Sequence, residues 1–333
     1  MFSILSWRNP HKRRLIISYG KDWLLVIIMT VVFFMVDLIP PFHREFSVQD
    51  KSIMYSYTVN ETVPAWSLVL ICLLGPIVFI GLISLFIQKS VHDFHSGILG
   101  LCLALSMTIM LTDIIKITSG RPRPDFLSRC QPIADSVDPL FGVSNVTICT
   151  TPIDSHIMVD GYKSFPSGHS SFSFAGLGYT AFYLGGKMHM FDKRGHTYKC
   201  FMFAFPGLAA LLVAISRTRD YRHHWQDVFI GSLLGAGIAY FAYRQYYPSL
   251  IHKQCDSPYA MRNLGESSST NDLEVNNIRN NDYDEDDIES NGSNNSLGVR
   301  VPNHEPYSDY NQQQPIKSLG PPSNTLANGI PRY

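Results

Sequence analysis

Six runs of apolar residues alternate with polar stretches along the first 250 positions: 22–39, 66–87, 95–115, 168–186, 198–215 and 227–244. A hydrocarbon core needs about 20 residues of helix to cross it, so each run predicts a membrane-spanning helix. The fourth run is the least apolar, with Ser and Gly distributed along it, and the sixth has a short apolar centre. Small residues in the fourth, Ser170, Ser171, Ala175, Gly176 and Gly178, suit close helix–helix contact inside a membrane. Six such runs with aromatic-rich ends argue against a large soluble helical protein. The first run follows Lys and Arg but has no small-residue cleavage site, which predicts a retained helix and not a signal peptide. The expected fold is therefore all-α and polytopic, with a basic N-terminus at 1–21, a six-helix domain at 22–250 and a disordered tail at 251–333.

Charge then orients the bundle. An even number of spans puts both termini on one side. Arg8, Lys12, Arg13, Arg14 and Lys21 precede the first span, and Lys187, Lys193, Arg194 and Lys199 lie in or beside the loop between spans four and five. The positive-inside rule assigns these to the cytoplasm. The loops at about 40–65, 116–167 and 216–226 are then extracytoplasmic. The zero net charge of the whole chain hides an uneven distribution, because the tail from Ile251 holds 6 Lys/Arg against 12 Asp/Glu. Its Asn/Ser/Asp composition cannot bury a core, which predicts cytoplasmic disorder.

Two further expectations follow from that orientation. Asn60-Glu61-Thr62 and Asn145-Val146-Thr147 are glycosylation acceptors in predicted luminal loops, so Asn60 and Asn145 are candidate glycan sites. Asn291-Gly292-Ser293 and Asn294-Asn295-Ser296 match the same pattern, but they lie in the tail, where no glycan is expected. Cys130 and Cys149 share an oxidising compartment and are candidates for a disulfide. Cys72, Cys102 and Cys200 read as ordinary helix residues and Cys255 as a free tail thiol. No Cys/His spacing suggests a metal site, and nothing suggests a nucleic-acid partner or sets an oligomeric state.

The candidate chemistry sits in three polar clusters, all in or bordering those extracytoplasmic loops. The first runs from Lys116 to Pro124, the second is Ser167-Gly168-His169, and the third runs from Ser216-Arg217 to His223 and Asp227. As spacing they read Lys-x6-Arg-Pro, Pro-Ser-Gly-His and Ser-Arg-x5-His-x3-Asp. Each is weak alone; three in this order are not. Lys116 and Arg217 supply cations, and the prolines after Arg121 and Arg123 stiffen the loop that presents Arg123. An Arg fork suits bidentate phosphate binding and Lys a point charge. Ser167 and Gly168 open a helix, whose free N–H groups and dipole favour an anion.

His169 at the same helix end is a candidate general acid. His223 precedes Asp227 by four residues, so on a helix both would share a face. Asp227 would then accept a bond from one ring nitrogen and leave the other free as a nucleophile. His224 competes for that role, and the spacing from Arg217 favours His223. Three cations around equatorial phosphoryl oxygens, with no carboxylate cluster to hold a metal, predict metal-independent hydrolysis through a phosphohistidine.

Over about residues 16–250 the chain resembles the phosphatidic acid phosphatase type 2 (PAP2) superfamily of six-helix lipid phosphate phosphatases, with all three motifs complete. The strings Arg123-Pro124-Asp125-Phe126-Leu127, Arg129-Cys130-Gln131-Pro132, Pro166-Ser167-Gly168-His169-Ser170-Ser171 and Asp220-Tyr221-Arg222-His223-His224 resemble fungal diacylglycerol pyrophosphate phosphatases. The resemblance implies a lipid phosphate substrate in the bilayer: diacylglycerol pyrophosphate cleaved to phosphatidate, and phosphatidate to diacylglycerol, without a cofactor. It also implies a vacuolar membrane, with the ER/Golgi or plasma membrane as alternatives. It assigns Lys116, Arg123 and Arg217 to the phosphate, His223 as nucleophile, His169 as acid and Asp227 as its orienting partner. Arg121 adds a cation outside the Lys-x6 register and is expected to face headgroups. Sphingoid-base phosphates and polyprenyl pyrophosphates are the rival substrates. A transporter or channel is disfavoured because the charges gather at one face and no internal repeat exists.

Overall fold

The computed structural model describes residues 10–262, with side chains from 16 onward. Among the described residues there are six long helices: α1 (Pro10–Asp37), α2 (Ala65–Ile87), α3 (Val91–Ser119), α4 (Gly168–Lys187), α5 (Thr197–Arg219) and α6 (Trp225–Tyr246). Within α2 the bonds widen to i→i+5 at Leu70–Leu74 and Leu82–Ile87, where the N–H of Gly75 reaches the carbonyl of Leu70. No named strand occurs among the described residues; two isolated bridges, Phe46 with Ser144 and Pro132 with Cys149, tie the loops together.

By length and composition, four of the six helices can cross a membrane: α1 from Ile16, α2, α3 and α5. The expectation of six spans thus meets six helices of which α4 and α6 fall short on hydropathy. Packing explains the shortfall of α4. α4 is the hub of the bundle, touching α2, α3, α5 and α6, while α1 packs on α3. A helix surrounded by protein has no need of lipid-facing apolar residues, and α4 buries Ser170, Ser171, Ser173, Gly176 and Thr180 against its neighbours. Tyr179 and Tyr183 of α4 and Tyr243 and Tyr247 at the end of α6 fill the core with Leu99, Leu101 and Ala104 of α3.

At one end of the bundle the segments 38–64 and 120–167 fold over the helix termini. Phe46, Ile53, Phe126, Cys130, Met158 and Tyr162 form a separate apolar core there. Cys130 and Cys149 are joined by a disulfide, their Cα atoms 4.7 Å apart. Asn60 and Asn145 are exposed on this end, and the Asn145 side chain accepts bonds from the N–H and hydroxyl of Thr147.

The opposite end is closed by ions and tyrosines. Asp93, in the first turn of α3, accepts bonds from Lys187 Nζ (2.6 Å), Tyr183 Oη (2.8 Å) and Tyr247 Oη (3.0 Å). Residues 251–262, expected to be disordered, pack onto this end. Cys255 is buried, the N–H of Tyr259 bonds the carbonyl of Tyr246 at 3.0 Å, and Arg262 pairs with Asp22 at 2.7 Å. An aromatic ring, a buried thiol and an ion pair give this stretch enough burial to order it. The remainder of the predicted tail, with Asn291 and Asn294, lies outside the described residues, as does Arg8.

Candidate active site

All three polar clusters meet at the looped end, and each is placed there by the way its helix terminates. α3 stops at Gly120, whose φ of 52° is left-handed and where an added Cβ would stand 1.9 Å from the Phe42 carbonyl oxygen. Only glycine fits. The stop leaves Lys116 in the last turn and sends Arg121-Pro122-Arg123-Pro124 away as extended chain. That chain is pinned to the segment before α4: the N–H of Arg123 bonds the Gly161 carbonyl (2.9 Å), and the N–H of Ser164 bonds the Arg121 carbonyl (3.2 Å).

Ser167 is the N-cap of α4, and its own N–H bonds the Asp227 carbonyl of α6 at 3.0 Å. The two helix starts are pressed together because α6 carries glycine at 231 and 235. A Cβ at either would lie 2.6 Å or 2.1 Å from the carbonyls of Ser167 and Ser171. On the other side the Ser119 hydroxyl donates to the Phe165 carbonyl at 2.9 Å, fastening the end of α3 to the approach to α4. Beyond α5 the chain turns back, with the N–H groups of Arg222 and His223 both on the Arg217 carbonyl.

His223 is buried, and its Nδ1 lies 2.6 Å from the carbonyl oxygen of Ser164. A carbonyl only accepts, so Nδ1 carries the proton and Nε2 keeps its lone pair. Burial, reinforced by the positive charges of Arg123 and Lys116, pushes the imidazole well below the ordinary histidine range. The ring is therefore neutral at neutral pH, with its tautomer set by backbone.

The expected direct bond from Asp227 to His223 is absent: the closest approach is 4.0 Å. The shared-face argument needed both residues on one helix, but α6 begins at Trp225 with His224 as N-cap, leaving His223 outside it. Asp227 caps its own helix instead, accepting the N–H of His224 at 3.1 Å, and its carboxylate lies 3.3 Å from His224 Nδ1. It also accepts the Ser164 hydroxyl (2.6 Å) and pairs with Arg121 (2.6 Å). Asp227 thus holds Ser164, and the carbonyl of Ser164 holds His223. Arg121, expected to face headgroups, is a partner of Asp227.

His169 is half-buried, with Nε2 at 3.0 Å from the Val63 carbonyl and 3.3 Å from Arg217 Nη1. The carbonyl requires a proton on Nε2, so the arginine contact is proximity and not a hydrogen bond. A protonated nitrogen thus stands beside a guanidinium. Lys116 Nζ lies 3.1 Å from where a Gly168 Cβ would be, so glycine there leaves room for the ammonium at the start of α4. Among the described residues Lys116 has no ion-pair partner.

The other cations are partly committed. Arg123 pairs with Asp160 (2.6 Å), and Arg217 pairs with Glu61 (2.9 Å) and Asp220 (2.5 Å). Arg222 pairs with Glu61 (3.0 Å), and Arg129 clamps Asp125 through two bonds while reaching Asp160 (2.9 Å). Burial alone would raise the Asp160 carboxyl, but Arg123 and Arg129 hold it far below the carboxylate range. Even so, the Nε groups of Arg123, Arg217 and Arg222 are buried with no hydrogen-bond partner. Buried guanidinium donors are normally satisfied, so the site has unmet capacity for an acceptor.

Sequence reasoning missed Ser164, Glu61, Asp160 and Arg222. Arg222 was signalled by its place between Arg217 and His223. Ser164 acts on His223 through a backbone carbonyl, which leaves no side-chain signature, and Glu61 and Asp160 are brought in from loops by tertiary folding. From Lys116, Gly168 and His169 an apolar groove of about 640 Å³ runs down between α1, α2 and α3, lined by Phe33, Leu68, Leu73, Leu105 and Phe172 among others. The end of the polar cluster and the hydrocarbon-lined cleft are thus continuous.

The sequence profile of the PAP2 superfamily matches residues 97–250, which contain all three clusters. Lipid phosphate phosphatase 2 of Arabidopsis thaliana is 42% identical over 228 residues, 68% of this chain and 77% of that protein. Diacylglycerol pyrophosphate phosphatase 1 of Saccharomyces cerevisiae is 37% identical over 252 residues, 74% of this chain and 84% of that protein. A probable diacylglycerol pyrophosphate phosphatase of Schizosaccharomyces pombe is also 37% identical, over 74% of this chain and 88% of that protein. No solved structure matches the chain.

Proposed function

Because the chain belongs to the PAP2 superfamily, we propose that it is an integral membrane phosphatase that removes the terminal phosphate from diacylglycerol pyrophosphate and then from phosphatidate. The observation that carries this reading is His223: a buried, neutral imidazole whose Nε2 lone pair is left free by the Ser164 carbonyl, amid Lys116 and Arg123. The names of the relatives support the substrates, and the groove beside His169 supports a lipid tail.

In the proposed reaction Nε2 of His223 attacks the terminal phosphorus. The bond from phosphorus to the leaving oxygen breaks, and His169, acting as the imidazolium with both ring nitrogens protonated once the anionic substrate is bound, gives that oxygen a proton and becomes neutral. Lys116, Arg123 and Arg217, with the N–H groups behind Ser167 and Gly168, bear the charge on the equatorial oxygens. Water then attacks the phosphorus, losing a proton to His169, and the P–N bond breaks, so that free phosphate leaves as the His223 lone pair is restored. The nearby carboxylates Glu61, Asp125, Asp160 and Asp220 are engaged by arginines, so the cations of the chain take the part a metal would otherwise play.

The reading includes all six helices as spans, the looped end on the luminal side with the termini cytoplasmic, a vacuolar membrane, and glycans on Asn60 and Asn145. It is tested by phosphate release from diacylglycerol pyrophosphate and phosphatidate, with and without chelator, by wild type and His223→Ala. Turnover that resists chelation and vanishes in the variant is expected. Turnover abolished by chelator, or retained in the variant, overturns the mechanism.

A further inference from the structure

Asp113 is used by nothing described so far. It lies one turn before Lys116 on α3, is 4% exposed, and lines the apolar groove. Its Oδ2 is buried without any hydrogen-bond partner. A carboxyl group placed in a hydrocarbon-lined cleft and left unbonded costs free energy, so an acid kept there calls for an occupant that bonds it. The groove is the space such an occupant would fill. One end of it is formed by Lys116, Gly168 and His169, and the rest is apolar apart from Asp113 and hydroxyls such as Thr112 and Ser106.

Position determines what that occupant presents. With a phosphate held at Lys116, a group one helical turn, about 5 Å, deeper meets the atoms a few bonds beyond the phosphate ester. In a glycerol-based lipid those atoms are the C2 oxygen and its ester or hydroxyl. In an isoprenoid alcohol phosphate they are hydrocarbon.

We infer that Asp113 is a specificity-determining residue that hydrogen-bonds a glycerol-backbone oxygen of the substrate and so selects glycerolipid phosphates over phosphates of pure hydrocarbon alcohols. This rests on the phosphatase reading above. A carboxyl bonds a hydroxyl in either protonation state and an ester carbonyl when protonated, and a primary amide does both. The Thr112 hydroxyl, next in sequence, is spent on Ser171 (2.9 Å), which leaves Asp113 as the free polar group at this depth.

The test compares kcat/KM for phosphatidate, lysophosphatidate and a polyprenyl monophosphate in wild type, Asp113→Leu and Asp113→Asn, each purified in detergent. Asp113→Leu is expected to lower the phosphatidate-to-polyprenyl ratio about tenfold, mainly through KM for phosphatidate, the loss of one buried hydrogen bond. Asp113→Asn is expected to restore the ratio to within about threefold. Lysophosphatidate reports whether the bonded group is a hydroxyl and phosphatidate whether it is an ester. If the leucine variant is poorly folded, Asp113→Ala carries the same expectation.

A ratio that stays constant overturns the inference, whether both activities fall together or neither moves, because a role through Lys116 or through folding does not distinguish the tails. Wild-type turnover of phosphatidate is the separate control for the phosphatase reading. Its absence, with no turnover of either other lipid, overturns both.

Discussion

The two ends of the bundle both bury charge at helix termini, and they do it in opposite ways. At the tail-packed end Asp93 is matched by Lys187 and sealed by the hydroxyls of Tyr183 and Tyr247, with every oxygen spoken for. At the looped end Lys116 makes no ion-pair contact among the described residues, and three arginines each keep a buried, unpartnered Nε. A satisfied buried pair closes a structure, whereas unmet buried donors wait for an acceptor. The same kinds of residue thus make a seal at one end and leave open donors at the other.

The contrast can be broken by mutation. His223→Ala is expected to have the largest effect, lowering turnover by at least about 10³-fold with the protein still folded, as measured by phosphate release and a thermal melt. Lys116→Met should cut kcat/KM about 100-fold while leaving the melting temperature unchanged or raised, because it removes a cation that has no partner. Lys187→Met should do the reverse. It strands buried Asp93 and should cost about 3–5 kcal/mol of stability, while activity per folded molecule persists. If Lys116→Met destabilised the protein and Lys187→Met did not, the division of the two ends would be wrong.

Smaller effects sharpen it. Burial and the flanking cations depress His223, so its protonation, which would silence the nucleophile, occurs below the ordinary value of about 6.5. The acid limb of kcat/KM should lie below that pH, and Arg123→Gln should move it upward, since losing a neighbouring positive charge eases formation of the imidazolium. Ser164→Ala deletes the bond to Asp227 but keeps the carbonyl that fixes His223, so kcat should fall by less than about tenfold. Its effect should be strongly non-additive with that of Asp227→Asn, because both act on one hydrogen-bonded unit.

Hydropathy announced the helices that face lipid. α4 was fainter because the protein itself surrounds it, so Ser170 and Ser171 could replace apolar bulk, whereas α6 still exposes Phe229, Leu233 and Phe241 and was faint because its packed face carries Gly231 and Gly235 and its ends are polar. The three clusters were legible because cations, a helix N-cap and histidines keep their identity wherever the backbone places them. The relation of Asp227 to His223 was not: it turned on where α6 starts, and the His224 cap moved that boundary past His223. Ser164 could not be read at all, since any residue supplies a carbonyl. The ordering of 251–262 was hidden by a polar composition that masked Cys255 and Tyr259.

The most direct test of the account is to trap the covalent species. Diacylglycerol pyrophosphate carrying ³²P in its terminal phosphate would be mixed with the purified protein in the presence of chelator and quenched under denaturing conditions. The account predicts a label on His223 that is stable to alkali and released by acid, absent from His223→Ala, and formed in full without metal. Turnover with a label on another residue, or a label that appears only when metal is added, would contradict it.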